Sequence, residues 1–465
     1  MSSYPPRPTT VGAAGLAAAL ALLTAGCTQV PDASERSITV WSQEVQSERI
    51  AATQEIIDRF TDETGIEVRL VAVEEQQTPA LIQSAVLSDS LPDVIGALPL
   101  AQVRQLDSLG LVDTDATGEV VDALDPATFA DAALALTSDG DRRLAVPSDA
   151  WTQLLAYRTD LFEAAGLPAP TSYADIREAA QTLHGDGTFG ITLATDPTDP
   201  FTSQTFEALA LGNGCELVDE AGTVQLDSTL CAQTWDLTSD LADLSPRGTQ
   251  TVDSTRATYF SGDAAMVVWS SFLLDELAGL RNDAMPACDQ CQDDPGWLAE
   301  NTGVVTAISG EPGTDPATYG EITSWTMLEG GQADMASTFV EYMMSEGYVD
   351  WLAMAPEGKV PMRPGDLSDP RRFADAWRQL PAGVDARVPL AEVYSSEVVD
   401  SLLGVGDDLR RWAIPQGQGT VLGPVISQLV IPKAVAELAS GSTDARGAME
   451  AATSATETIV EGLEP

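Results

Sequence analysis

The chain has 465 residues, with 71 Asp and Glu against 23 Lys and Arg, a single His, and a formal net charge of -48. That charge excludes electrostatic docking on nucleic acid or on anionic lipid, because either surface would repel the chain. A hydrophobic share of 44% excludes an acidic disordered tail, and the length suggests roughly two to three domains.

Residues 1–27 read as a processing segment. Arg7 and the terminal amine make a weakly basic start, and Val11 to Leu23 is an Ala/Leu-rich run too short to span a bilayer. It leads into Leu23-Thr24-Ala25-Gly26-Cys27, which resembles the lipobox of bacterial and archaeal lipoproteins. The resemblance implies cleavage after Gly26 and a lipid on Cys27, with the remainder soluble and outside the cytoplasm. The plainer alternative is a secretory signal with an incidental cysteine. With Cys27 lipidated, Cys215, Cys231, Cys288 and Cys291 remain, and an even number outside the cytoplasm points to disulfides. Local pairing, Cys215 with Cys231 and Cys288 with Cys291, closes the shortest loops and is the expected connectivity.

Beyond a polar tether containing Pro31-Asp32, the pattern becomes regular. Ile38-Thr39-Val40-Trp41 is a short strand, and Ser47 to Thr64 is helical, with Ile50, Ile56, Ile57 and Phe60 on one face and Gly65 as the stop. Ile66, Val68, Leu70 and Ala72 alternate as a half-buried strand. Thr78-Pro79 opens a helix through Leu87, and Leu91 to Ile95 returns as a strand. Strand, helix, strand, helix, strand predicts an open α/β sheet. A second such run starts with a strand at Trp151–Tyr157. It continues through a helix at about 172–184, a strand at 190–193, helices near 204–211 and 228–244, and a hairpin at Glu220-Ala221-Gly222. A helix at 255–260 and a strand at 265–269 follow, and the last third is rich in helix.

Several of these stretches, in order, resemble family 1 extracellular solute-binding proteins, the sugar-capturing lipoproteins of ABC importers. They are Ile38-Thr39-Val40-Trp41 with Phe60-Thr61-Asp62-Glu63-Thr64-Gly65, Ser90-Leu91-Pro92-Asp93-Val94, and Val146-Pro147-Ser148-Asp149-Ala150-Trp151. Tyr157-Arg158-Thr159-Asp160-Leu161-Phe162, Phe260-Ser261-Gly262-Asp263-Ala264-Ala265-Met266 and Leu438-Ala439-Ser440-Gly441 complete the set. The resemblance implies an α/β, two-lobe periplasmic-binding-protein-like fold of type II character, closing on its ligand by a hinge. The expected division is 1–26 signal, 27–36 tether, 37–147 plus about 304–347 as lobe 1, and 148–303 plus about 348–465 as lobe 2. It further implies a sugar or oligosaccharide ligand, delivery to the permease subunits of an importer, membrane attachment through the lipid, a monomeric chain, and no covalent chemistry.

A pyranose presents a weakly apolar C–H face and a ring of hydroxyls, so its site needs aromatic plates and fixed donors and acceptors. Trp41, Trp151, Trp269 and Trp325 stand at segment ends where strands would deliver them to a cleft. Ser42, Glu44, Asp149 and Ser270 are the polar candidates beside them, and Trp41 with Trp269 would grip the sugar from opposite lobes. Core packing is the competing role for each Trp, and solvation that for each acid.

Other chemistries lack their residues. One histidine, His184, removes most triads and His-rich metal cages, and no cofactor or metal is expected. Gly358-Lys359-Val360 lacks the hydroxyl and the preceding glycine of a phosphate-cradling loop. Asp113-Thr114-Asp115 begins like a calcium loop, but its twelfth position is Leu124, so a turn is expected. A secreted glycoside hydrolase stays as the alternative, because 71 acids offer many carboxylate pairs and no spacing selects one.

Overall fold

The alternation of Ile38, Val40 and Ser42 inward builds the first strand, β1 (Ser37–Ser42). The computed structural model describes residues 36–463 apart from Glu311, so Cys27 and the processing segment lie outside the described residues. Helix α1 (Ser47–Thr64) buries Thr53, Ile56, Ile57 and Phe60 on one face and ends at Gly65, whose φ of 68° suits the left-handed cap. β2 (Glu67–Ala72) pairs parallel with β1, α2 (Thr78–Ser88) crosses over, and β3 (Val94–Pro99) pairs parallel with β1 on its other side.

β3 starts three positions later than the sequence pattern indicates. Pro92 has no N–H for a ladder, and the Asp93 carboxylate accepts from the backbone N–H of Thr39 at 2.6 Å and of Gln332 at 2.7 Å. Helix α3 (Leu100–Ser108) follows β3 without a loop. The stretch at Asp113 is a helix start and not a mere turn: Asp113 caps Thr114–Leu124 by accepting from the Ala116 amide.

β4 (Val146–Arg158) is the longest strand and joins two halves of a nine-stranded sheet. The remaining members are β5 (Met266–Ser270), β6 (Thr302–Val305), β7 (Thr318–Met327), β8 (Val360–Pro361) and β9 (Leu409–Arg410). From Val146 to Thr152, β4 pairs antiparallel with β7, and Asp149 and Ala150 also pair with β8. From Gln153 to Tyr157 it pairs with β5, and from Leu155 to Arg158 with β6. β7 in turn pairs with β3, so the first half runs β8-β4-β7-β3-β1-β2. The expected strand at 190–193 survives only as isolated parallel bridges, Phe189 to Ala264 and Thr192 to Val267.

Helices α4 (Pro200–Gly212) and α5 (Thr229–Asp243) lie between β4 and β5 in the chain, and α6 (Leu273–Leu277) follows β5. α7 (Ala333–Met343) and α8 (Tyr348–Leu352) return to the first, where Phe60 meets Phe339 and Tyr342 edge-on. The chain closes with α9 (Val430–Ala439) and α10 (Ala445–Leu463), packed on α5. Cys215 is bonded to Cys231, tying the end of α4 to the start of α5, and Cys288 is bonded to Cys291 within a single turn. Among the described residues, no single helix is long and apolar enough to cross a membrane.

Candidate functional site

Side chains on a strand alternate between faces, so Asp149, Trp151 and Gln153 of β4 share one face. Across the ladder stand Thr323 opposite Asp149, Glu321 opposite Trp151, and Ser270 opposite Gln153. Two contacts check this assignment. Thr323 donates to Asp149 at 2.7 Å, and the Trp151 and Tyr319 rings lie 6.0 Å apart. The shared face sits where β4 passes from one half of the sheet to the other, and Glu44, in the loop after β1, reaches it through Lys359.

Lys359, just before β8, anchors this face. Its ammonium is 2.6 Å from Glu44 Oε1 and 3.4 Å from Asp149 Oδ2, and it lies 4.3 Å from the centroid of the Trp351 ring. Arg49 reaches the other Glu44 oxygen at 2.9 Å. Burial pushes the Glu44 carboxyl up, but Lys359 and Arg49 together outweigh it and bring the pKa down to about 2. Asp149 is fully engaged. Oδ1 accepts from Trp351 Nε1 and Ser148 Oγ, and Oδ2 from Thr323 and Lys359. With two donors on each oxygen, its acceptor capacity is spent on the protein.

A second buried network lies on the Tyr319 side. Arg411, 1% exposed, contacts Glu321 and approaches Glu207 of α4 at 3.1 Å. Glu321 also accepts from the Leu100 amide that opens α3, and Glu207 from the Trp412 amide. Arg411 therefore ties β7 and the start of α3, through Glu321, to the middle of α4, through Glu207. Gln43 adds a smaller polar bridge, donating to Thr78 at 3.0 Å and to Gln102 at 2.7 Å.

Of the four tryptophans expected at a cleft, the structure puts only Trp151 on this face with part of its ring exposed. Trp41 is also partly exposed, but packs into a separate apolar cluster with Ile82, Leu98 and Val103. Trp269 is 7% exposed, donates to the Val252 carbonyl at 3.1 Å and meets Phe201. Trp325 is 0% exposed between Phe339 and Trp351, and its indole lies on Gly96, where any Cβ would come within 2.2 Å of the ring. Ser42 is buried and accepts from the Glu44 amide at 3.2 Å. Glu44, Asp149, Trp151 and Ser270 thus come together around β4, while Trp41, Trp269 and Trp325 do not stack toward one another.

Sequence reasoning missed Lys359, Gln153, Arg411, Glu207 and Glu321. One signal was available for the first: Lys359 and Lys433 are the only lysines in the chain. Among the described residues, no group of three or more His, Cys, Asp or Glu is placed to hold a metal ion.

The model of the bacterial extracellular solute-binding proteins matches residues 45–287. An Escherichia coli (strain K12) protein named as an ABC transporter periplasmic-binding protein, YcjN, is 26% identical over 398 residues, covering 83% of this chain and 87% of its own. Among solved structures, the GacH receptor of Streptomyces glaucescens GLA.O, studied unliganded and with acarbose, matches with a TM-score of 0.64. It is 22% identical and covers 92% of this chain and 99% of its own. The cyclic alpha-maltosyl-1,6-maltose binding protein of Arthrobacter globiformis matches at 0.69 with 18% identity, covering 92% and 99%. A sugar transporter protein of Arthrobacter chlorophenolicus A6 with bound laminaribiose matches at 0.66 with 16% identity, covering 92% and 100%. These likenesses establish the two-lobe α/β fold.

Proposed function

The chain belongs to the bacterial extracellular solute-binding protein family, and from that premise we propose that it captures a sugar or oligosaccharide between its lobes and delivers it to an ABC-type importer. The family is one of binding proteins and not of enzymes, which sets the glycoside hydrolase reading aside. Carbohydrate as the ligand class is supported by the acarbose, maltosyl-maltose and laminaribiose named for the solved neighbours. The single observation in the chain itself that carries this reading is Trp151. It is a partly exposed aromatic plate on the face where the two halves meet, flanked by polar side chains.

The change of strand partners supports placing the first lobe boundary near Thr152–Gln153 and β6 with lobe 2, where the sequence pattern suggests 147/148 and about 304. The ligand-facing set proposed is Trp151 with Ser42, Glu44 and Ser270. Asp149 holds the hinge strands together from the same face, and Trp41, Trp269 and Trp325 support the walls. Trp151→Ala is expected to weaken sugar binding by about 1 kcal/mol or more while the fold stays intact. Quenching of tryptophan fluorescence by maltose, laminaribiose and acarbose measures this, with the sugar recovered unchanged. Wild-type affinity in Trp151→Ala would move the site away from the crossover face.

The chain is also proposed to act as a monomer, held at the outer face of the membrane by a lipid on Cys27. Support comes from the lipobox-like Leu23-Thr24-Ala25-Gly26-Cys27 run and from the extracellular character of the family. Cys27→Ser is expected to shed the protein into the medium. A Cys27→Ser protein that sediments with membranes as wild type does would refute the anchor.

A further inference from the structure

Gln153 occupies the first position of β4 that pairs with the second half of the sheet, directly across from Ser270. It is 2% exposed, and among the described residues neither Oε1 nor Nε2 has a hydrogen-bond partner. Three of the polar groups sharing its face are otherwise committed: Asp149 to four donors, Thr323 to Asp149, and Glu321 to Arg411 and the Leu100 amide. The residues that follow on the strand, Leu154, Leu155 and Ala156, are buried and apolar. A leucine would suit such a place without leaving a donor and an acceptor unmade. An amide kept there without partners is costly unless something else completes it.

We infer that Gln153 is a ligand-reading residue of the crossover face, its amide completed by two neighbouring hydroxyls of the bound sugar. The inference rests on the sugar-binding reading above and deepens it. A primary amide offers an acceptor oxygen and a donor nitrogen side by side, and a vicinal diol offers a donor hydroxyl beside an acceptor one. Trp151 lies two positions earlier on the same face and would take the apolar C–H surface of the same ring. Plate and amide together define a pyranose approached from one face, with its diol edge turned toward lobe 2. A sugar lacking one of those hydroxyls would leave half of the amide unpaired in a buried place, and sites of that kind discriminate strongly against the deoxy analogue.

Gln153→Leu removes both polar atoms at nearly constant volume. Wild type and variant are titrated calorimetrically with maltose, laminaribiose and acarbose, and their thermal unfolding is recorded without sugar. The expected result is a variant at least as stable as wild type that binds about tenfold or more weakly to whichever of the three binds wild type. A folded Gln153→Leu protein that binds within twofold of wild type overturns the inference and leaves the sugar-binding reading standing. That outcome would assign the amide to an internal water. If none of the three sugars binds wild type, the sugar-binding reading falls and the inference falls with it. Should Gln153→Leu not fold, Gln153→Asn carries the same comparison, since it keeps the amide but withdraws it by one methylene; undiminished affinity there also overturns the inference.

Discussion

Replacing Arg411 with Met is expected to lower stability by about 3–5 kcal/mol, the range for breaking a buried ion pair from one side. Arg411 is 1% exposed and is the cation shared by Glu207 and Glu321, themselves 3% and 12% exposed as side chains. Methionine fills much of the aliphatic stem but leaves both carboxylates without a counter-charge. Burial already raises the Glu207 carboxyl against the pull of Arg411 and the Trp412 amide, so in the variant Glu207 must take a proton or stay charged at greater cost. The damage should reach both α3 and α4, because Glu321 also accepts from the first amide of α3 while Glu207 lies within α4. Urea unfolding of Arg411→Met, Glu207→Gln and the double variant checks the argument. The double variant should recover part of the single-variant loss, since residues in one network do not add. Equal, additive losses would show that the guanidinium is only packing material.

How much of this was legible beforehand differs between the two halves of the chain. Lobe 1 announced itself because each element carries its own period: Ile38 and Val40 alternate, Ile56, Ile57 and Phe60 share a helical face, and Gly65 marks the stop. Nothing local announces that β4 changes partners between Thr152 and Gln153, since that depends on strands more than a hundred residues downstream. The tryptophans show the same limit. Trp325 has the same parity on β7 as Glu321 and Thr323, yet it sits at the end of the ribbon that α7 and α8 cover, on a glycine 229 residues earlier. Trp269 finds an acceptor in the Val252 carbonyl, and that bond holds it in the wall. A tryptophan at a strand end is legible; which layer closes over it is not. Lys359 was read only as a failed phosphate loop, because the two acids that need it lie more than two hundred residues away on other elements.

That lysine leads to the second large effect. Lys359→Met should cost about 3–5 kcal/mol at neutral pH, by removing the ammonium that faces both Glu44 and Asp149. The pH dependence separates this electrostatic role from simple packing. In the wild type the Glu44 carboxyl is held at about 2 instead of the ordinary 4.5, so between those values the unfolded chain binds more protons than the folded one. The stabilisation from the Glu44 contacts is therefore complete above pH 4.5 and drains away as the pH falls toward 2, roughly 3 kcal/mol in all. Without Lys359, burial is opposed only by Arg49, the Glu44 carboxyl rises, and it takes up its proton earlier on acidification. The gap in stability between wild type and Lys359→Met should thus be widest near pH 7 and narrow markedly by pH 3. Melting temperatures at those two pH values decide it. A gap of the same size at both would mean that Lys359 supports β8 by volume alone. Since Glu44 and Asp149 meet through Lys359 at the crossover face, a pH-dependent gap would also predict that sugar affinity falls with acid in the wild type before the fold is lost.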